Sequence, residues 1–154
     1  MGLTEDIQQG EFKNEYQKAL INVIYTYNYL ISEMNVVFKD MDITRQQYNV
    51  LRILRGQHPN PASISLIKER MLDKMSDASR IVQRLQKKGL ITREVSTDDR
   101  RAVEVTISAE GIEMLAQNDD KVKGFEDLLS NLDLDEAKQL NMLLDKLRES
   151  VTVI

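Results

Sequence analysis

The sequence has no cysteine and a single histidine, His58, among its 154 residues. Without cysteine the chain cannot build a disulfide framework, a thiolate metal site or a thiol-based redox switch. One histidine also excludes catalytic triads with a histidine base and metal sites with several histidine ligands. His58 stands beside Pro59, so we expect a solvated loop residue, with a pH switch as the alternative. We expect neither a cofactor nor a metal site.

Signatures of enzymes are missing as well. The chain has no glycine-rich phosphate loop and no nucleophile elbow, and its carboxylates fall on helix faces as ordinary solvated charge. We therefore expect no enzymatic activity. Charged residues recur too often for an apolar span of about 18 residues, and no basic stretch precedes an apolar one at the N-terminus. The expectation is a cytoplasmic protein without a transmembrane helix or signal peptide.

The net charge of −4 conceals an uneven distribution. Residues 68–101 contain ten Lys/Arg and six Asp/Glu, a local charge of +4, whereas the remainder contains eleven and nineteen, a charge of −8. Attraction to phosphate depends on the local field, because salt screens charges beyond about 8–10 Å. The central segment is therefore expected to attract DNA, and the acidic remainder to discourage DNA from binding elsewhere.

Apolar spacing predicts one long amphipathic helix over residues 11–39. Apolar residues recur there at steps of three and four, without internal Pro or Gly. A helix of this length spans about 42 Å, and such helices often bury a face against a second subunit. Thr44 is the expected cap of a second helix that ends at Gly56, before a loop with two prolines at residues 57–61.

The central stretch, residues 63–108, begins with two short helices. Ser63 is the expected N-cap of the first, and Asp73, in a turn over residues 72–75, is available to cap the second. The second helix, near residues 76–88, has short polar residues at its front and arginines behind. This pattern suits insertion into the major groove of DNA.

Period-two alternation then predicts a β-hairpin. Ile91, Arg93 and Val95 share one face of a strand over residues 90–96, and a second alternating strand covers residues 101–107. A lone hairpin is marginal in water and must pack on helices. Three helices followed by a hairpin is the winged-helix order. The predicted fold is mainly α with a small β-hairpin wing: a winged helix-turn-helix flanked by long N- and C-terminal dimerisation helices.

The C-terminal part carries two further apolar stripes. Ser108 is the expected cap of the first helix there, and Asp133 with Glu136 has the spacing of a capping box before the last. Long helices with apolar stripes therefore bracket the central module at both ends, which favours a dimer. The two stripes comprise Ile112, Leu115, Val122, Phe125, Leu128, Leu129 and Leu132, followed by Ala137, Leu140, Leu143, Leu144, Leu147 and Val151.

The order of these elements and two specific runs resemble the MarR family, the multiple-antibiotic-resistance type of bacterial transcription regulator. The run RIVQRLQKKGLITR, from Arg80 to Arg93, is similar to the end of the family's recognition helix. The run DRRAVEVTISAEG, from Asp99 to Gly111, is similar to its wing signature. The resemblance covers nearly the whole chain. One departure is the turn over residues 72–75, which lacks the glycine often found in helix-turn-helix turns.

The resemblance implies an obligate homodimer that binds a pseudo-palindromic operator in double-stranded DNA. It further implies a repressor that a small-molecule ligand releases. The domain scheme is then a single MarR-like domain over residues 1–154, with dimerisation helices at 11–39 and 109–154 and a DNA-binding lobe at 44–108. The alternative is a helical protein-interaction adaptor whose winged helix no longer binds DNA.

The resemblance also assigns roles to single residues. Arg80 is the candidate for a bidentate contact to guanine, whereas Arg84 and Lys87 contact phosphate; an ion pair across a helix turn is the alternative for Arg84. Arg101 enters the minor groove, and Asp99 either orients it or simply closes the turn. The predicted DNA-facing set is Ser76, Asp77, Ser79, Arg80, Gln83, Arg84, Lys87, Asp99, Arg100 and Arg101.

Tyrosines concentrate near the expected junction of the dimerisation and DNA-binding regions. A tyrosine cluster can line a pocket for an aromatic ligand, and we take Tyr25, Tyr29 and Tyr48 as the candidate pocket for a small aromatic effector. The alternative is that these rings belong to the core, with their hydroxyls at its rim.

Overall fold

A computed structural model describes residues 2–149, in which backbone contacts define two compact units, residues 2–118 and residues 119–149. No helix within residues 2–149 combines the length and apolarity needed to span a membrane. The first unit contains α1 (Leu3–Asp6), α2 (Glu15–Asp40), α3 (Arg45–Gln57), β1 (Ala62–Ser63), α4 (Ile64–Arg70), α5 (Ala78–Lys87), β2 (Ile91–Val95), β3 (Val103–Ile107) and most of α6 (Ala109–Lys123). The second contains the end of α6, a 3₁₀ helix (Gly124–Leu129) and α7 (Leu134–Arg148).

The long N-terminal helix is confirmed, but it starts later than predicted. Asn14 is its N-cap, and the Asn14 side chain accepts a hydrogen bond of 2.9 Å from the backbone N–H of Gln17. An Asn side chain that satisfies a free N–H at this position ends the extended segment and starts the helix. Phe12 therefore precedes α2, and its ring centroid lies 5.8 Å from the Lys18 ammonium. The short helix α1, with its buried Leu3, was not predicted.

Helix α3 starts where its cap was predicted. The Thr44 hydroxyl accepts from the backbone N–H of Gln47 at 3.1 Å, and the Gln47 side chain accepts from the N–H of Thr44 at 3.0 Å. This reciprocal capping box satisfies two free backbone donors at the helix start. The helix continues through Gly56 to Gln57, and exposed His58 begins the predicted loop.

The helix-turn-helix pair of the first unit is α4 followed by α5. Ser63 caps α4 as predicted, since its hydroxyl accepts from the N–H of Leu66 at 3.1 Å. Helix α5 departs from the prediction: its N-cap is Asp77, not Asp73, and it begins at Ala78 rather than near Ser76. The Asp77 carboxylate accepts from the N–H of Arg80 at 3.1 Å.

Buried side chains from four elements meet beneath this pair. Leu51 and Leu54 come from α3, Ile67 from α4, and Val82 and Leu85 from α5, all of them almost fully buried. Apolar burial of this kind is the main favourable term in folding, at roughly 25 cal/mol per Å². The helix-turn-helix therefore packs on the second and third turns of α3, and Val105 of β3 joins the same core.

The sheet has three strands, where a two-stranded hairpin was predicted. Strand order is β1-β3-β2, and both pairs are antiparallel. Strand β1 pairs Ala62 with Val105, and it is too short for period-two alternation to reveal it. In β2 only Ile91 is buried, whereas the predicted partners on its face, Arg93 and Val95, are exposed because the outer half of this edge strand extends beyond the core.

The C-terminal elements follow the predicted pattern with one break. The predicted continuous helix after Ser108 ends at Lys123, and a 3₁₀ helix from Gly124 to Leu129 replaces its last part. Of the first predicted stripe only Leu115 is buried; the other members are half-buried or exposed. Helix α7 has the predicted capping box, in which the Asp133 carboxylate accepts from the N–H of Glu136 and the Glu136 carboxylate accepts from the N–H of Asp133, both at 2.9 Å. Val151 lies outside the described residues.

The start of α6 packs so closely against the residues that follow α5 that no side chain fits between them. Gly89, at a φ of 74°, ends α5, and a Cβ added to Gly111 would stand 2.3 Å from the carbonyl oxygen of Leu90 and 2.8 Å from Ile107 Cγ1. The same Leu90 carbonyl accepts from the N–H of Ser108 at 3.0 Å, and the Ser108 hydroxyl donates to Gly89 at 2.7 Å. Glycine is therefore required at position 111, because a backbone oxygen cannot give way as a side chain can.

We expect Gly111→Ala to lower the free energy of unfolding by about 1–3 kcal/mol, the usual cost of overpacking a closed site. Urea unfolding followed by circular dichroism measures it. Gly56→Ala is the matched control, because a Cβ there meets nothing within 4 Å and alanine favours the helix by up to about 1 kcal/mol. Equal stability of Gly111→Ala and the unaltered protein would contradict the packing described.

Candidate nucleic-acid interface

Helix α5 has a buried face and a polar face on opposite sides. Ala78, Val82 and Leu85 are buried. At about 100° per residue, the exposed side chains fill an arc centred roughly opposite those three. That arc contains five of the predicted DNA-facing residues. Packing of the buried face therefore orients α5 with its polar face toward solvent. The five are Ser79, Arg80, Gln83, Arg84 and Lys87.

The two predicted residues at the front of this helix lie before its first turn. Ser76 is half-buried in the turn, and the exposed residue Asp77 is the N-cap. The capping role of Asp77 was not assigned from the sequence, because Asp73 and Asp77 both precede the helix and either could cap it. A groove of about 290 Å³ separates the start of α3 from the front of α5; its lining residues are Thr44, Gln46, Gln47, Ser76, Asp77, Arg80, Ile81 and Arg84.

Three arginines of the candidate interface lack an acidic partner among residues 2–149. Within the described range Arg80, Arg84 and Arg101 form no ion pair. The proposed ion pair of Arg84 across a helix turn is therefore not formed among residues 2–149. An unpaired exposed guanidinium keeps its five N–H donors for an external acceptor such as phosphate or a base edge.

The tip of the β2–β3 hairpin is a turn held by one buried serine and one aspartate. Buried Ser96 accepts from the N–H groups of Asp98 and Asp99 at 3.3 and 3.4 Å. The Asp99 carboxylate accepts from the backbone N–H of Arg101 at 2.9 Å, so Asp99 closes the turn and positions Arg101 through its backbone. Asp99, Arg100 and Arg101 are all exposed. Ser96 was not among the predicted site residues.

The turn between α4 and α5 is held without the glycine that such turns often contain. Asn49 of α3 is buried, and its Oδ1 accepts from the N–H of Leu72 at 2.8 Å, across 23 positions of sequence. The Asp73 carboxylate accepts from the N–H of Met75 at 3.1 Å. Hydrogen bonds from the Ser76 side chain and from Met75 hold the pKa of Asp73 below its ordinary value, although burial opposes them.

A second cavity, of about 560 Å³, lies between the end of α2 and the start of α3. Three cations contribute to its wall, Lys39, Arg45 and Lys88. Lys88 directly follows α5, and its ammonium donates to the carbonyl and to the carboxylate of Asp42, with 3.3 Å to Oδ2. The remaining lining residues are Ile31, Asn35, Phe38, Asp42, Ile43, Thr44, Gln46 and Gln47.

Among the residues 2–149 that line this cavity, none is one of the three predicted pocket tyrosines. Tyr48 packs on Phe38 with ring centroids 4.8 Å apart, and Phe38 is a lining residue. Tyr25 and Tyr29 are exposed on α2. Nine positions separate Tyr29 from Phe38, which places the two side chains on roughly opposite sides of the helix at about 100° per residue. The structure therefore brings Tyr48 close to the cavity and leaves Tyr25 and Tyr29 away from it.

Comparison with known proteins identifies this arrangement. Residues 41–102, from the turn before α3 to the wing, match the family model described as "MarR family". This segment is similar to the winged helix-turn-helix of the MarR family. The resemblance seen in the two sequence runs is thereby confirmed, and so is the predicted winged-helix fold class.

Solved structures of transcription regulators and of a DNA-binding protein align with most of the chain. A MarR transcription factor from Planctomyces limnophilus is 28% identical, with 88% of this chain and 98% of that one covered and a TM-score of 0.67. A mutant MarR from E. coli complexed with operator DNA is 24% identical, covers 90% and 99%, and has a TM-score of 0.76. BpsR of Bordetella bronchiseptica, whose DNA binding is regulated by 6-hydroxynicotinic acid, is 19% identical, covers 86% and 99%, and has a TM-score of 0.72.

Proposed function

We propose that this protein is a transcription regulator of the MarR type, a cytoplasmic homodimer that binds double-stranded DNA at a pseudo-palindromic operator and represses transcription until a small molecule releases it. The observation that carries the proposal is the cationic arc of α5, which forms no ion pair with any residue between 2 and 149 and is joined by Arg100 and Arg101 at the hairpin tip. A relative of the same fold was solved on operator DNA, which supports the DNA partner. The proposed domain scheme assigns DNA binding to residues 44–108.

The two cationic elements fit two different grooves. A helix fits the major groove, where Arg80 can donate two hydrogen bonds to a guanine, and Arg84 and Lys87 lie at the positions for phosphate. A hairpin tip is narrow enough for the minor groove, whose negative potential favours arginine, and Arg101 is the residue we assign there. Ser76, Ser79 and Gln83 supply shorter polar contacts between them.

We expect Arg101→Ala to weaken DNA binding by about tenfold or more, because a charge-assisted contact is lost. Lys18→Ala on α2 is the matched control, since it removes one cation outside residues 44–108. Gel shifts at one salt concentration compare the two variants on a promoter fragment. For the unaltered protein, log K should fall with log salt by about 0.9 per phosphate contacted.

Equal affinities of the two variants would remove the assignment of Arg101. A response that stays flat with salt would remove DNA binding itself, and a folded protein that binds no promoter fragment would favour the adaptor alternative. Circular dichroism of both variants separates these outcomes from unfolding.

The homodimer is proposed from apolar side chains that one copy leaves in solvent. On α2, Tyr16, Leu20, Ile24 and Tyr27 are spaced at three and four residues and are all more than half exposed. On α7, Leu140, Leu143 and Leu147 form a second exposed stripe with the same spacing. Monomeric proteins rarely leave contiguous apolar surface of this kind uncovered, and a second copy would cover it.

Leu20→Glu should convert the dimer to a monomer, because a carboxylate in an apolar interface has no partner and loses its hydration. Sedimentation velocity measures the state directly. Asn22→Glu adds the same charge about 200° further around the same helix and should remain dimeric. A monomeric unaltered protein, or the same state for both variants, would contradict an interface on this stripe.

The proposed effector site is the cavity of about 560 Å³ between α2 and α3. Apolar residues Ile31, Phe38 and Ile43 with the nearby cations Arg45 and Lys88 suit a small aromatic acid. The regulation of BpsR by an aromatic acid supports this class of ligand. Because Lys88 also binds Asp42, a ligand carboxylate would compete with Asp42 for the ammonium that follows the recognition helix.

We expect 6-hydroxynicotinic acid, used as a probe, to bind the free protein and to weaken its binding to DNA. Lys88→Met keeps the side-chain length and removes the charge, so probe affinity measured by calorimetry should fall about tenfold. Lys87→Met, the adjacent residue outside the cavity wall, should keep the probe affinity. The matching neutral amide should have little effect; equal binding of acid and amide would contradict a site built on these cations.

A further inference from the structure

Three apolar residues of the DNA-binding lobe are strongly exposed and unexplained by the proposed dimer. They are Leu72, Met75 and Val95, and Met75 is the most exposed of the three. Met75 lies in the turn between α4 and α5, two residues before the N-cap Asp77, and 94% of its surface is exposed. The apolar stripes assigned to the dimer lie on α2 and α7 instead. A methionine left in water gains no burial energy. What suits Met75 to a contact with a partner is its place on a rigid turn directly before the cap of α5.

The backbone that carries Met75 is held on both sides. The Met75 N–H donates to the Asp73 carboxylate at 3.1 Å, and the Ser76 N–H donates to the Asp73 carbonyl at 3.3 Å. Asn49 fixes the start of the same turn through the N–H of Leu72. The backbone is thus preorganised while the flexible thioether stays free, and preorganisation lowers the entropy lost on binding.

The charges around Met75 favour a polyanion as the partner. The two neighbouring acids are engaged by the backbone, since Asp73 accepts from Met75 and Asp77 accepts from Arg80. Within residues 2–149 neither Lys74 nor Arg80 forms an ion pair, and the Lys74 ammonium donates to the backbone carbonyl of Glu69, which leaves its charge unneutralised. An apolar side chain between two unneutralised cations is poorly suited to a second apolar protein surface. It is well suited to DNA, which offers apolar groups between phosphates.

We propose that Met75 is a specificity-determining residue that contacts the 5-methyl group of a thymine in the major groove. The inference rests on the DNA binding proposed above. Residues at the N-terminal end of a recognition helix are the ones that reach base edges, and Met75 lies at that end. The thymine methyl is the one apolar group on the major-groove edge of the bases, and apolar side chains recognise it by direct contact.

Deoxyuridine tests this contact, because it differs from thymidine only by the methyl group. The unaltered full-length protein first selects duplexes from a random pool. Each thymine of the selected sequence is then replaced by deoxyuridine, in both half-sites together. At one position the unaltered protein should lose about fourfold in affinity per half-site, the value of one buried methyl group.

Met75→Ala should be insensitive to deoxyuridine at that position, and its salt dependence should be unchanged because no charge is removed. Val95→Ala is the control: Val95 is 61% exposed on the hairpin, which we assign to the minor groove, where no methyl group is presented. This variant should keep the full loss. Circular dichroism confirms that both variants fold.

The outcomes separate this inference from the function on which it rests. If the unaltered protein selects a sequence but no deoxyuridine lowers its affinity, Met75 reads no methyl group and the inference is overturned. The same follows if Met75→Ala retains the loss. A protein that selects no sequence from the pool would overturn the proposed function, and the reading role of Met75 with it.

Discussion

The tight junction at the end of α5 is the constraint on which the rest of the DNA-binding lobe depends. The Leu90 carbonyl approaches Gly111 so closely that no Cβ fits, and Ser108 hydrogen-bonds to both Gly89 and Leu90. At this one place the recognition helix ends, β2 starts, β3 ends and α6 begins. The direction of the hairpin relative to α5 is therefore set by backbone atoms, which adjust far less than side chains do.

The helix starts could be predicted because capping depends on residues close in sequence. Contacts between residues distant in sequence could not be predicted. Thr44, Ser63 and Asp133 were recognised as caps because a cap and the N–H it satisfies lie within three residues. The choice between Asp73 and Asp77 failed, because either spacing satisfies the same rule and only the tertiary position of the turn decides. Three features join positions distant in sequence, and no hydrophobic periodicity reveals them. They are the Asn49–Leu72 hydrogen bond, the pairing of β1 with β3, and the Lys88–Asp42 contact.

The candidate site divides in the same way. The cationic residues of α5 and the hairpin tip followed from the sequence runs, because a helix and a hairpin display their residues with fixed periods. The cavity wall did not follow, since it combines the end of α2, the start of α3 and Lys88. The tyrosine pocket was predicted from side-chain chemistry and from sequence positions near the expected junction. Neither shows which side of a helix a residue occupies, and Tyr25 and Tyr29 lie on the other side of α2 from Phe38. Whether those two contact a ligand stays a prediction.

The cap of the recognition helix has a consequence for how such a protein would search a genome. The positive end of a helix dipole attracts phosphate wherever it meets DNA, irrespective of sequence. In α5 the Asp77 carboxylate already occupies that end. The helix end itself would thus add little attraction for phosphate beyond that of the nearby cations, which lowers non-specific affinity more than specific affinity. Against the vast excess of competing genomic sites, that ratio determines occupancy of an operator.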